Sequence, residues 1–459
     1  MKKISLLIVL LLFSMLIGCV NEEDLPAGED EIKEVIDFNG YNFRVLQDQP
    51  TDDTFGYTCD SLFYDLLIQK LGTAEQDMNC KIIVEQLTDT NNISTFVGQN
   101  IAAGTDFADI LYTSGANAQM SCAMAGYLYP LTEVKEYLDY ENAEKFGSAN
   151  ILECAMVDSV PYGVVPMQWP NKSTQGNVGS FLAFNNEVIK SYSMPNPREI
   201  YENNKWTTEN FNDIIPQFYI KDGEREVFAM TGHPSNFARA FLGAAGMRLV
   251  TEVDGVVVPS FETPAVLNII EWAGKFANDN KNYVKFINTY TAYQELIDGN
   301  CTFAVVETSN IDPIAKAVSD FGILPFPCGP DIEYGSQITY FSTIQTFSII
   351  NSTFEPNNTA ILINKLLEPF EGYETEEKRN AILYKTMFFN EDDVKYFVDI
   401  PKHTIYQYFV VQGYNFMEKI AEQFKTKSAS EILGKLKGTM DDVVKDYIEP
   451  NYQYIKSHS

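Results

Sequence analysis

The segment that most constrains the fold runs from Tyr41 to Leu131, where short apolar runs alternate with longer amphipathic ones. Residues 41–47 (YNFRVLQ) and 81–86 (KIIVEQ) have the length and side-chain types of strands. Between them Leu62, Phe63, Leu66, Leu67, Leu71, Ala74 and Met78 recur at helical spacing. Residues 95–103 read as a second helix. It leads through the polar turn Gly104-Thr105-Asp106 into a buried-type strand at 107–112 (FADILY). Strand-helix-strand-helix-strand order predicts a mostly parallel sheet covered on both faces, hence an α/β fold. Thr113-Ser114-Gly115 break the third strand and open a helix predicted to run to about Ala125, stopped by Gly126. Ligands in open α/β sheets sit just beyond the carboxyl ends of strands. Tyr112, Ser114 and Asn117 are therefore candidate ligand contacts, although a strand-loop-helix unit without a ligand would read the same way.

The N-terminus carries a different message. Met1-Lys2-Lys3 is basic, residues 4–17 are apolar, and Leu16-Ile17-Gly18-Cys19 closes the run. The run is short for a membrane span and has the layout of a secretory signal. A small residue directly before Cys19 resembles a bacterial lipobox, which would make Cys19 the lipidated N-terminus. Residues 20–37 are then a flexible acidic tether. No later run is apolar enough for a membrane-spanning helix, so membrane contact is expected through the anchor alone.

From residue 38 onward the chain is too long for one core and suits two lobes. With 33 basic against 63 acidic residues and a formal charge of −30, it lacks the clustered cations that nucleic-acid binding needs. Cys59, Cys80, Cys122, Cys154, Cys301 and Cys328 are dispersed, with no CxxC pair. They read as mostly free thiols, with Cys59–Cys80 the nearest possible pair. His233, His403 and His458 are too scattered for a His-rich metal site. No cofactor motif is found. Further strands are expected at 226–231, 302–307, 321–325 and 341–350, and helices at 265–277 and from 358. From 376 to the end nearly everything reads as helix, broken around Pro401 and Ser428.

Several segments taken together resemble the family 1 extracellular solute-binding proteins, the lipid-anchored receptors of ABC importers. They are Gly104-Thr105-Asp106-Phe107-Ala108-Asp109-Ile110; Gly126 to Leu131 (GYLYPL); Tyr162-Gly163-Val164-Val165-Pro166; Phe184-Asn185-Asn186 with Trp206 to Phe211 (WTTENF); 299–306; and 321–330. Two departures stand out: Gly299-Asn300 replaces the family's Gly-Lys, and 168–179 looks like an insertion. The resemblance implies a two-lobe periplasmic-binding-protein-like fold in which each lobe is a mostly parallel sheet flanked by helices. One lobe would comprise 38–150 plus about 295–345, the other about 151–294 plus 346–459, with crossings near 150–160, 290–300 and 340–350. It further implies a monomer on the outer face of the cell membrane, periplasmic where an outer membrane exists. Such a receptor takes a small solute, a sugar or oligosaccharide, between closing lobes for a permease.

Sugar recognition needs aromatic faces for pyranose rings and planar polar groups for hydroxyls. Trp169, in a polar loop after the strand ending at Pro166, is the leading stacking candidate, followed by Tyr340 and Phe341. Trp206 and Trp272 read as structural. His233 and Asn236 follow one predicted strand and Glu307 ends another, so they join Ser114 and Asn117 as polar candidates. Two other functional classes fit the composition. One is a lipid-anchored glycoside hydrolase, though no carboxylate pair or nucleophile motif is singled out. The other is a same-fold receptor for a peptide, polyamine or metal chelate.

Overall fold

In a computed structural model, the chain is described at residues 36–48, 53–61, 63–87, 92–114, 118–169, 176–406 and 416–458. Apart from a two-residue hairpin pairing Asp53–Thr54 with Tyr57–Thr58, the chain follows the expected alternation: β1 (Tyr41–Gln47), α1 (Tyr64–Asp77), β2 (Cys80–Gln86), α2 (Ile93–Ala103) and β3 (Ile110–Ser114). The chain then passes through short helical segments to β4 (Gly176–Val178) and β5 (Phe181–Asn185), followed by β6 (Ile220–Asp222) and β7 (Arg225–Gly232). Next come α3 (Pro234–Ala244), α4 (Pro264–Asp279), β8 (Val284–Phe286), β9 (Cys301–Val306), α5 (Ile311–Ala317) and β10 (Phe321–Leu324). The remainder comprises β11 (Thr339–Ile349), α6 (Pro356–Leu366), α7 (Glu391–Asp399), β12 (Thr404–Tyr406), α8 (Phe416–Gln423) and α9 (Ala429–Val443).

These strands form two sheets. The first has the order β12-β11-β3-β1-β2, with β4 also on β11, and the second β6-β7-β9-β5-β10, with β8 on β7. In the first sheet β1 runs parallel to both β2 and β3. The second is more mixed than strand-helix alternation implies: β7 is parallel to β8 and β9, but β5 is antiparallel to β9 and β10. Strands β9 and β10, expected in the first lobe, pair within the second sheet. The chain moves between sheets at Gly179-Ser180, between β4 and β5, and again between Leu324 and Thr339. Those crossings replace the ones expected near 150–160 and 290–300.

Local chemistry explains the other shifts. The third strand begins at Ile110 rather than Phe107 because the buried Asp109 carboxylate is already engaged. It accepts from the Tyr41 hydroxyl (3.0 Å), the Arg44 backbone N–H (3.0 Å) and the Thr353 hydroxyl (2.6 Å). Of the helix expected after Thr113-Ser114-Gly115 and running to about Ala125, Met120–Met124 is α-helical and 118–119 lead into it as a π turn, while 115–117 lie outside the described set. The C-terminal third carries the short strand β12 amid its helices, paired in parallel with β11. The cysteines of the described residues are free thiols, with Cys59 exposed and the other five buried, so Cys59 and Cys80 do not pair. Burial pushes the Cys122 and Cys301 thiols up to about 12.

The core reflects the aromatic-rich composition. Trp206 is buried, and its indole N–H donates to the Pro325 carbonyl at 2.8 Å. Trp272 stacks on Phe276 (5.0 Å between centroids) and donates to the Thr208 carbonyl at 3.0 Å. Both have the structural role expected of them. No helix among the described residues is long and apolar enough to cross a membrane.

Candidate functional site

Each sheet has one place where neighbouring parallel strands send their following connections to opposite sides, opening a crevice at their carboxyl ends. In the first sheet that place lies between β1 and β3, since β2 flanks β1 on the other side. Asp48, just past β1, accepts from the Thr113 hydroxyl (2.6 Å) and the Ser114 backbone N–H (3.2 Å). Gln345 of β11 stands opposite Ser114 in the register. The Ser114 hydroxyl and the Gln345 side-chain carbonyl are buried atoms with no hydrogen-bond partner among the described residues. Buried polar atoms left unmatched are costly, so this crevice presents ready acceptors and a donor.

In the second sheet the corresponding place lies between β7 and β9, with β8 on the far side of β7. His233 follows β7 and caps α3, its Nδ1 accepting from the Ser235 N–H at 3.2 Å. Glu307 follows β9 and is almost completely buried. The buried Arg239, one turn into α3, donates through Nη1 to Glu307 (2.6 Å) and Asn236 (3.0 Å), and through Nη2 to Glu418 of α8 (3.3 Å). Burial raises the Glu307 pKa against the pull of Arg239, and Glu418 adds to the rise. Burial and the Arg239 charge lower the His233 pKa, with Glu418 opposing them. The His233 ring lies on Tyr290 at 4.1 Å between centroids and 22° between planes, and Tyr290 is 57% exposed. An aromatic face thus stands beside carboxylates, an amide and a guanidinium.

Two contacts tie the crevices together. Strand β4 pairs with β11 up to Ile344, next to Gln345, while its Val178 N–H donates to Thr308 beside Glu307 at 3.2 Å. Lys316 of α5 donates to the Asp60 carbonyl, reaching from the second sheet's helices to the loop after β1, at 3.1 Å.

The structure therefore brings together His233, Asn236 and Glu307, and places Ser114 in the partner crevice. Sequence reading missed Asp48, Arg239, Tyr290, Gln345 and Glu418. Arg239 did leave a signal, because an arginine within an apolar helix needs a buried partner. Asn117 and Cys19 lie outside the described residues.

The aromatic candidates are corrected. Trp169 does not open onto a cleft edge: it is 2% exposed, donates to the Leu366 carbonyl at 3.1 Å, and packs among Phe55, Tyr57, Phe347 and Phe370. Its polar neighbourhood in sequence hid the apolar one in space. Phe55, held at φ 53°, wedges this cluster, its N–H donating to the Gln47 side chain at 3.0 Å. Tyr112 is buried, its hydroxyl donating to the Phe55 carbonyl at 3.2 Å and its ring against Phe347. Tyr340 is buried with its hydroxyl on the Met247 carbonyl, and Phe341 packs on Tyr406. None of these rings has a free face.

Among the described residues no group of three His, Cys, Asp or Glu side chains could hold a metal ion. Amide, carboxylate and guanidinium groups near one aromatic plane, with hydroxyl and amide groups at the other strand ends, suit reversible hydrogen bonding to a polar solute.

Comparison with known proteins agrees. The model of the family described as bacterial extracellular solute-binding protein matches residues 71–369, well over half of the chain. No curated protein matches the sequence. The fold resembles the GacH receptor of Streptomyces glaucescens, solved unliganded and with acarbose (TM-score 0.58, 12% identity, 89% of this chain and 99% of that one). It also resembles an ABC substrate-binding protein of Listeria monocytogenes in complex with cycloalternan (0.56, 13%, 89% and 99%). A third similar structure is the galacto-N-biose/lacto-N-biose I-binding protein of Bifidobacterium longum (0.58, 12%, 88% and 97%). Two sheets joined by two crossings are thus the two-lobe architecture of these structures, and the chain belongs to the bacterial extracellular solute-binding proteins.

Proposed function

We propose that this protein captures a small carbohydrate between its two lobes and passes it to the permease of an ABC importer, without turning it over. The supporting observation is the pair of crevices, one with unmatched hydroxyl and amide groups at Ser114 and Gln345, the other with the Tyr290–His233 plane above the Arg239 network. Three structures of similar fold were solved with acarbose, cycloalternan or lacto-N-biose, which supports the same ligand class. Residues 41–178 with 339–349 would form most of one lobe and 181–324 most of the other. Closure would be driven by contacts the solute makes to both. Cys19 would carry the lipid that holds the receptor to the outer face of the membrane.

A second reading rests on charge. Asp48, Glu307 and Glu418 around the site, opposed by Arg239, would also suit a cationic solute such as a polyamine. A thermal-shift panel of oligosaccharides, polyamines and peptides, followed by calorimetric titration, decides between them. The sugar reading expects a binding oligosaccharide that is recovered intact after long incubation. Binding of spermidine with no sugar response would replace it, and cleavage products would make the protein a hydrolase. Cys19→Ala should leave the precursor unprocessed or free it from the membrane fraction; unchanged processing and attachment would refute lipidation.

A further inference from the structure

A cavity of about 90 Å³ lies against the two segments that carry the chain between sheets. Ser180 lines it from the β4–β5 crossing, and Gln337 and Thr339 line it from the β10–β11 crossing. The segments touch: the Gly179 N–H donates to the Tyr340 carbonyl at 3.0 Å, and Gly179 sits at φ +79° with the Thr339 hydroxyl 3.2 Å from where a Cβ would stand. Rotation of one lobe against the other must move these residues. Ala240 and Ala244, in the C-terminal half of α3, form part of the apolar wall. His233 and Asn236, at the other end of that helix, belong to the candidate ligand site.

The wall is unusual for a packing void. Ser180, Gln337 and Thr339 are 5%, 8% and 8% exposed, yet the Ser180 and Thr339 hydroxyls and the Gln337 carbonyl have no partner among the described residues. Gln337 is oriented by its amide N–H, which donates to the Phe326 carbonyl at 3.0 Å. Native folds seldom leave three such atoms in one place unmatched. The two acid–base groups that line it are already engaged with each other: Asp399 binds His403 at 2.8 Å, and Lys402 besides at 2.9 Å. The occupant is therefore neutral. It needs hydroxyls for the three polar atoms and a carbon backbone for Ala240, Ala244 and Ile400.

We propose that this cavity is a second binding site, for a small neutral polyol of about glycerol size, set at the hinge and separate from the solute site. The volume matches about three waters, or one three-carbon chain bearing hydroxyls. Filling the cavity would link the crossing segments and bias the lobes toward one relative orientation.

Saturation-transfer NMR on the full chain, with glycerol as probe, tests the site. Transfer from wild-type protein should show a half-saturation that Ser180→Ala and Thr339→Val each raise roughly fivefold, the loss of one net hydrogen bond. Ethylene glycol should compete with glycerol, whereas sorbitol, too large for the cavity, should not. That size series needs no variant and holds even if a substitution impairs folding. Transfer equal in wild type and both variants, competition by sorbitol, or no transfer at all would overturn the proposal, leaving a cavity that holds water only. Oligosaccharide binding is measured separately, so failure here is distinct from failure of the sugar reading.

Discussion

The two crevices occupy equivalent topological positions but are built differently. Around β7 and β9 most polar groups are spent on one another: Arg239 holds Asn236, Glu307 and Glu418 at once, leaving only its Nε and one Glu418 carboxylate oxygen unmatched among the described residues. Around β1 and β3 one carboxylate, Asp48, positions Thr113 and Ser114, while the Ser114 hydroxyl and the Gln345 carbonyl remain unmatched. The first arrangement is a fixed frame and the second an open one. A solute would find a rigid, charged wall with an aromatic face on one lobe and uncommitted hydrogen-bonding groups on the other.

The largest effects should come from the frame and from the aromatic cluster beneath the open crevice. Arg239→Met leaves Glu307 buried without its cation and should destabilise the protein by about 3–5 kcal/mol in chemical denaturation. Trp169→Ala should do the same by about 3–5 kcal/mol, because it empties a core site among four aromatic rings. If either variant melts like wild type, the assignment of rigid and open walls fails.

Next in size is Tyr290→Ala. The ring is exposed, so stability should change by less than about 0.5 kcal/mol. Solute affinity should fall about tenfold as stacking and buried area are lost. Gln345→Met is smaller and sharpens the contrast. Removing an unmatched amide should leave the melting temperature unchanged or slightly higher, while affinity falls roughly fivefold. A stability loss without an affinity loss would mean that Gln345 is structural.

The smallest effect is electrostatic. Burial and Arg239 lower the His233 pKa, so the neutral ring is favoured in the fold. Its contribution to stability is therefore present above the unfolded pKa of about 6.5 and lost as pH falls through that value toward the folded one. An NMR titration should place the His233 midpoint below 6.5. Glu418→Gln should lower it further, since the Glu418 carboxylate is the group that raises it. An upward shift in that variant would show that Glu418 does not act on His233.

Sequence legibility followed the physics of each feature. Periodicity exposed β1, α1, β2 and α2 within a few residues, because one buried face imposes a repeat that survives in the chain. It failed at β3, where the start is set by hydrogen bonds to Asp109 from residues as distant as Thr353. His233, Asn236 and Glu307 were legible as groups beyond strand ends, where ligands gather in such sheets, because strand ends are visible in the sequence. Asp48 obeys the same rule after β1 and was passed over for want of a second polar cue. The aromatic residues failed for one reason. With 31 Phe and 26 Tyr in the chain, an aromatic ring says little about whether its face is free. Trp169, Tyr112, Tyr340 and Phe341 are all interior, while Tyr290 offers the exposed ring.

The distribution of thiols has a practical consequence. Of the six cysteines among the described residues five are buried and, for Cys122 and Cys301, pushed up to about 12, far from the thiolate that alkylating reagents require. Cys59 is exposed, next to Asp60, whose carbonyl receives Lys316 from the opposite lobe. An environment-sensitive dye attached there would sit on the seam between the lobes with no engineered residue. Were the lobes to close on a solute as proposed, Cys59, the exposed thiol among the described residues, would be a native reporter position for that motion.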